Sequence, residues 1–572
     1  MLALNRYVSL LKSWCDGLIE YQIKELADST LNGAFVCPAC KNTHGRCDNA
    51  MFPMMYMFNE TQDEKYRTCA FGVFDWQKNV LLRDYSVYND GNNEWRGITV
   101  FSAIGYLKTL INFKEQLGNR AAEVEKRCKS MCEWLLKNLT VNFVCNINYI
   151  AANSGAMALA WQYFGNEKYR KISEDLLNYC LEFITENGLL FGEMFPRNSV
   201  SRRGCTAGDI GYNVEESVPA LLDAALILGD EEKIAKVQKL LTAQLDFMLP
   251  DGAWDNSFGC RNYKWTYWGS RTSDGAAAAY YRMKDRAPQF ETTALRNIDL
   301  LERCTPDGLL YGGPDYYKWG ERACVHHTFC HALGLADALV LGIKPKDNGG
   351  ELPLDKPCCS IKYYPEIATY RINSGDLIAD ITAYDFGENS FVAGRGHATG
   401  GTMSLLFSRK YGVAAAASLS FYRTAEPLNQ QLTLNLEQHA PLTFRIECSD
   451  ESGIYTSALD TTAELTARKN ESVITVTAQG TLTNLEGRKK TGAEYILKYT
   501  FESDCVTIDA ELASADKGCV FIAPLIGDAA KITTASRDKT REIFNLVPGF
   551  IATEHSMCFE NGKLSFKLSF QK

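Results

Sequence analysis

Between Ile343 and Cys358 the hydrophobic pattern of the chain changes its period, and this constrains the fold more than any other feature. Before it, segments such as GITVFSAIGYLKTLINF, SGAMALAWQYFG, PALLDAALILG and HTFCHALGLADALVLG repeat apolar residues at helical spacing. After it, runs such as DLIADITAYDF, SVITVTAQGTL, EYILKYTFE and GKLSFKLSF alternate with period two and favour Thr, Val, Tyr and Ile, as strands do. A chain of 572 residues is also too long for one compact core. The pattern therefore predicts a helical domain over 1–345, a Pro/Gly/Asp/Lys-rich linker over 346–357 and an antiparallel β-sandwich over 358–572.

A weak internal repeat sharpens the first half. Asn187-Gly188-Leu189-Leu190-Phe191, Asp251-Gly252-Ala253-Trp254 and Asp307-Gly308-Leu309-Leu310-Tyr311 each follow a helical segment, at roughly the spacing of one helical hairpin plus its loop. Repetition at that period predicts a toroid of paired helices, of (α/α)6 type, with equivalent loops gathered at one end as a funnel.

Composition excludes several function classes. A net charge of −9 with no extended basic face argues against nucleic acid, and 46% apolar residues argue against extensive disorder. No run approaches the length of a membrane span, and the N-terminal MLALNRYVSLLKSWCDGLIEYQ, interrupted by Arg6 and Lys12, reads as an amphipathic helix with no signal peptide. The 20 cysteines are then mostly reduced small hydrophobes of a cytoplasmic protein. Self-association into a homo-oligomer stays open.

The stretch WDNSFGCRNYKWTYWGSRTSDG, residues 254–275, admits two readings. It is either a densely packed structural loop or a wall for something flat and negatively charged. In the second reading Trp254, Trp265, Tyr267 and Trp268 stack on sugar rings, while Arg261, Lys264 and Arg271 hold a carboxylate or sulfate. Asp255 adds a carboxylate.

Further carboxylates lie at Glu193 and in the segment DIGYNVEES, where Glu215 and Glu216 adjoin Asp209, Tyr212 and Asn213. Pro219 must sit in a first helical turn, which makes Ser217 the expected N-cap; a capping box from Asn213 to Glu216 is the competing reading. Adjacent acids that are partly desolvated would raise one carboxyl pKa, as a proton donor requires. In VHHTFCH, His327 and His331 share a helical face beside His326, without the glutamate of the H-E-x-x-H pattern. The segment GRGHATGG sets Arg395 and His397 among glycines, either as a ligand loop or as a strand-joining turn. Cys37, Cys40, His44 and Cys47 have the composition of a structural zinc site; the alternative is a loop of buried thiols from which His44, Arg46 and Asp48 face the funnel. The chemistry itself calls for no cofactor.

With these strings assembled, the chain resembles carbohydrate-active proteins that pair an (α/α) toroid with a C-terminal β-sandwich. CPACKNTHGRCDNA, DIGYNVEES, LPDGAWDNSFGCRNYKWTYWGSRTSDG and CVHHTFCHA look closest to glycoside hydrolase family 154, a group of exo-acting uronidases; the heparinase II/III-like polysaccharide lyases are a more distant likeness. The nearer resemblance implies hydrolytic release of a uronic acid, β-glucuronic acid, from an oligosaccharide, with catalytic groups among Glu193, Glu215, Glu216, Asp255, Tyr212, His327 and His397. It implies substrate contacts from Asn213, His326, Arg46, Asp48 and the 254–275 wall. The lyase resemblance implies instead β-elimination, with His397 as the sandwich histidine and Tyr212 or Tyr267 as the phenol.

Overall fold

Six helical hairpins close into a ring. The computed structural model describes residues 5–570 apart from 25–26, 28, 90–93, 347–348, 387–396, 419–430, 432, 434–437, 452, 485–489, 514–517 and 537. Among the described residues, α1 (Arg6–Glu20), α3 (Glu64–Gln77), α5 (Ala121–Asn138), α7 (Glu167–Leu181), α9 (Glu231–Gln244) and α11 (Pro288–Arg303) form an outer layer. The inner layer is α2 (Met51–Thr61), α4 (Thr99–Phe113), α6 (Ile147–Phe164), α8 (Val218–Leu228), α10 (Ala277–Arg282) and α12 (Val325–Val340). Each inner helix packs on the next, and α12 packs on α2, so the ring closes. Sequence explains the sorting. Inner α6 and α12 are apolar on nearly every side and buried along their length, whereas outer α7 and α11 keep one charged face in solvent.

The three repeated turns are structurally alike. Gly188, Gly252 and Gly308 all take positive φ, at 81°, 96° and 99°, a region a side chain would strain. The turns lead from outer helices α7, α9 and α11 towards the next inner helix, so they emerge at the end of the ring where inner helices begin.

The second half is an antiparallel sandwich. One sheet has five strands in chain order after the short hairpin of β1 (Trp265–Thr266) and β2 (Gly269–Ser270) in the toroid. They are β3 (Cys359–Tyr364), β4 (Thr369–Ser374), β5 (Leu377–Thr382), β6 (Thr402–Ser408) and β7 (Gly412–Ala416). A larger antiparallel sheet built between Arg445 and Ser569 covers one face of it, and Cys448 and Cys519 form a disulfide there. The other face of the small sheet lies on the toroid. Its strands β5 and β6 are consequently buried at every position: Ile378 and Phe407 join the toroid core while Leu377, Ala379 and Leu406 join the sandwich core. Period-two polarity is lost where both faces are covered.

The two halves are locked by charge. Arg371 on β4 donates to Asp255 of the toroid at 2.5 Å and to Asp380 on β5 at 2.5 and 2.7 Å, all three buried.

Candidate active site

The inner helices start at one end of the ring, so their N-terminal partial positive charges face a common mouth. The side chains in or just before those first turns include Arg46 and Asp48 ahead of α2, Asn148 and Tyr149 on α6, Tyr212 ahead of α8 and His326 on α12.

The segment before α8 departs from its expected form. The helix starts at Ile210, capped by Asp209, whose side chain accepts from the Tyr212 amide at 3.0 Å. Neither the Ser217 cap nor the Asn213–Glu216 capping box forms. Instead Asn213–Ser217 makes a wide π-type turn that runs directly into α8 and accommodates Pro219, which has no N–H to give an α-helical ladder. Asp209 also accepts from Asn256 at 3.0 Å and from the Arg261 amide at 2.9 Å, tying this turn to the 254–275 segment. Asn213 is spent on the Leu190 carbonyl at 2.8 Å.

Tyr212 is the centre of the cluster. Its hydroxyl lies 2.5 Å from that of Thr272. The Arg261 guanidinium sits over its ring at 3.7 Å, and the Lys264 ammonium is 5.8 Å from the same ring. A positive charge thus stands over the ring on which a phenolate would form. Arg261 also pairs with Glu193 at 3.2 Å. Burial nevertheless pushes the Glu193 carboxyl up to about 8, against the pull of that guanidinium.

The other carboxylates are committed to protein partners. Glu215 accepts from the Ser270 amide at 2.6 Å and lies 3.3 Å from His331 Nε2. The backbone presses on it so closely that a Cβ at Gly269 would come within 2.1 Å of its oxygen. Glu216 accepts from Asn148 at 2.5 Å, and burial pushes it up to about 7. Asp255 belongs to the interdomain ion cluster with Arg371. A hydrolase needs two carboxylates flanking a glycosidic bond with access to water or sugar. Here Glu193, Glu215 and Asp255 are fully buried and engaged and Glu216 is held by Asn148, so these four candidates offer no such pair to a substrate.

The aromatic wall expected from 254–275 is a packing device. Trp254 lies against Tyr280, Trp265 donates to the Trp254 carbonyl, Trp268 donates to the Tyr311 carbonyl and Tyr267 donates to Asp251. All four rings are buried against protein, and the Tyr267 hydroxyl is committed to Asp251, separate from the Tyr212–Thr272 pair. Arg271 is likewise fully buried and donates to the Leu546 carbonyl of the sandwich at 2.8 Å, so it fastens domains and does not clamp a carboxylate. Of the three cations in the segment, Arg261 and Lys264 reach the Tyr212 cluster.

Arg46 donates to the Thr272 carbonyl at 2.9 Å and to Asp274 at 2.5 Å, bracing the same strip from the α2 side. Asp48 accepts from Ser102 behind it and is pushed up to about 6 by burial. His326 packs on His44, ring centroids 4.7 Å apart, while His327 turns towards Trp268. Burial pushes both His326 and His327 well below the usual imidazole range. Arg395 lies outside the described residues. His397 is described: it stacks on Tyr384 at 4.6 Å, and the Tyr384 hydroxyl accepts from the Gly208 amide beside Asp209. Burial holds His397 down at about 4, so the ring is neutral at neutral pH. With Nδ1 3.2 Å from the Ala398 carbonyl, Nε2 is the atom left to accept a proton.

Sequence reading missed Asn148, Tyr149 and Thr272. Asn148 in the first turn of an otherwise apolar helix was the available signal; Tyr149 and Thr272 carried none. Among the expected metal ligands, Cys37, Cys40 and His44 converge with their ligand atoms within 4.8 Å of one another. Cys47 does not join them.

Down the axis from this cluster, Glu215, Glu216 and Asp274 border a cavity of about 60 Å³ that Lys108, Asp223, Arg282 and Asp337 line at its far end. That is room for a few waters and not for a sugar ring. A glycan must therefore be met at the mouth.

Comparison with known proteins gives three findings. Residues 11–355 match the ulvan lyase N-terminal domain and residues 361–541 the ulvan lyase C-terminal domain. A broad-specificity ulvan lyase of Formosa agariphila is 36% identical over 520 residues, covering 88% of this chain and 80% of that protein. A crystal structure of heparinase III superposes with a TM-score of 0.52 at 10% identity, over 96% of this chain and 78% of that one; a second heparinase III gives 0.51 at 12%, over 100% and 84%. The structural likenesses bear on the fold and support the helical toroid followed by an antiparallel β-domain. The family matches overturn the resemblance to glycoside hydrolase family 154, and with it the expectation of a β-glucuronidase-like hydrolase.

Proposed function

The chain belongs to the ulvan lyase family, and on that premise we propose that it is a polysaccharide lyase that cleaves a uronate-containing glycan by β-elimination. One observation carries the reading at the level of the site: the Tyr212 ring lies beneath the Arg261 guanidinium, and its hydroxyl pairs with Thr272, at the end of the ring where the inner helices begin.

Elimination requires three acts. The uronate carboxylate must be neutralised so that the C5–H bond becomes acidic; a base must take that proton; and the oxygen leaving C4 must receive one. The C5–H and C4–O bonds break, and a C4=C5 bond forms in conjugation with the carboxylate. Arg261 and Lys264, aided by the inner-helix N-termini, supply the positive potential for the first act. Tyr212, with Thr272 as its proton-sharing neighbour, serves proton transfer at the sugar. His397, neutral with a buried and unpartnered Nε2, stacks on Tyr384, whose hydroxyl meets the Gly208 amide beside Asp209, and is the second proton-transfer group. The substrate class follows from the family and from this cationic mouth: an acidic polysaccharide carrying uronic acid, as the name of the Formosa agariphila relative indicates for that enzyme.

The test is to incubate the protein with ulvan and follow ultraviolet absorbance together with reducing ends. A rise in both, with unsaturated uronate at the new non-reducing ends, supports elimination. Release of reducing ends and saturated uronic acid without an absorbance gain would overturn it.

A further inference from the structure

The cysteine-rich loop before α2 meets the start of α12, and the meeting supplies a ligand that sequence spacing concealed. Cys37 Sγ lies 3.5 Å from Cys324 Sγ, and Cys40 Sγ lies 3.3 Å from His44 Nε2. The Cys37 sulfur is the hub, touching the Cys324 sulfur and lying within 4.8 Å of the Cys40 and His44 ligand atoms. The backbone is shaped for a sulfur carrying charge: the Cys40 amide points at Cys37 Sγ at 3.5 Å, and Lys41 takes a left-handed φ of 62° to turn the chain back. Cys324 is the N-cap residue of α12, where the helix end favours a thiolate.

We propose that Cys37, Cys40, His44 and Cys324 bind one zinc ion in a closed tetrahedral site. With Zn–S about 2.3 Å and Zn–N about 2.0 Å, a tetrahedron has edges of about 3.8 Å between two sulfurs and about 3.5 Å between sulfur and nitrogen. Two of the six edges, at 3.5 and 3.3 Å, lie within a few tenths of an ångström of those values; Cys37, Cys40 and His44 converge within 4.8 Å of one another, and the Cys324 thiol, in contact with Cys37 but outside that trio, swings in to complete the tetrahedron. Three thiolates and one imidazole are also the donor set zinc favours in structural sites, with no position open for water or substrate. The ion would pin the N-terminal loop to the first turn of α12. Through the packing of His44 on His326 it would hold that side of the mouth in place, acting on position and not on chemistry.

The test measures metal in the full-length chain, purified under reducing conditions without chelator. One zinc per chain by elemental mass spectrometry is expected in the wild type and in Cys47→Ser, with loss in Cys324→Ser. Because Cys324→Ser could fail to fold, cobalt(II) exchange into the wild type provides an independent readout: intense tetrahedral d–d bands and sulfur-to-cobalt charge-transfer bands are expected. A folded wild type that takes up no zinc and shows no such bands would overturn the proposal. So would a Cys37–Cys324 disulfide found by peptide mapping under the same conditions, or zinc lost from folded Cys47→Ser and kept by Cys324→Ser.

Discussion

The two ends of the toroid both bury charge, and they do so in opposite ways. At the narrow end, Lys108 pairs with Asp337 at 2.5 Å and Asp223 at 3.5 Å, and Arg282 pairs with the same two carboxylates at 3.1 and 3.2 Å. Two cations meet two anions, and burial does not win: the Asp337 carboxyl is held below its ordinary range by Lys108 and Arg282. At the mouth, Glu193, Glu216, Asp209 and Glu215 are all pushed upward by burial, while Arg261 and Lys264 are turned towards Tyr212. A cluster that balances its own charge closes a structure. A cluster whose burial works against the negative form of its acids, beside cations turned to a phenol ring, favours an anion from outside.

Four experiments test that contrast, from the largest expected effect to the smallest. Tyr212→Phe keeps the ring beneath Arg261 and removes the proton, so the elimination rate should fall by roughly 10²–10⁴-fold with KM little changed; a variant with the wild-type rate would take Tyr212 out of the chemistry. Lys108→Met at the other end leaves buried Asp337 and half-buried Asp223 with Arg282 as their one remaining cation and should cost about 3 kcal/mol in chemical denaturation, with the activity of the remaining folded enzyme unchanged. A rate loss equal to that of Tyr212→Phe would show that the two ends are not functionally separate.

Arg271→Ala removes one of two donors to the Leu546 carbonyl, leaving the Tyr316 hydroxyl, and empties a buried site, so it should cost about 1–3 kcal/mol of stability while KM for the uronate polymer stays constant. A sharp rise in KM in a folded variant would restore the clamp role that its burial denies. The smallest effect concerns pH. The folded Glu193 pKa is raised, so the stability it contributes is present below its unfolded value of about 4.3 and is lost as pH rises through about 8. Glu193→Gln cannot ionise, so its Tm relative to wild type should climb between pH 6 and 9; a constant difference would mean that Glu193 is ionised throughout.

The fold was largely legible. A change of hydrophobic period near 350 separates helices from strands, and three glycine turns at hairpin spacing announce the toroid, because periodicity records which faces are buried. The site was legible only in part. Tyr212, Arg261, Lys264, His326 and His397 carry recognisable chemistry, yet Asn148 and Thr272 look like ordinary polar residues until α6 and the 254–275 segment fold to one mouth. The same segment misled in its aromatic residues. Trp254, Trp265, Tyr267 and Trp268 have the composition of a sugar platform, but their faces are spent on Tyr280, Phe550, His331 and one another's backbone.

What the chain determines on its own is local: which residues repeat at helical or strand spacing, where a glycine must turn, and where acids and cations crowd together. Tertiary structure alone decided which charges cancel. Asp255 found Arg371, 116 residues away, and Cys37 found Cys324, 287 residues away. Electrostatic fate depends on through-space partners and burial, and neither is encoded in spacing along the chain.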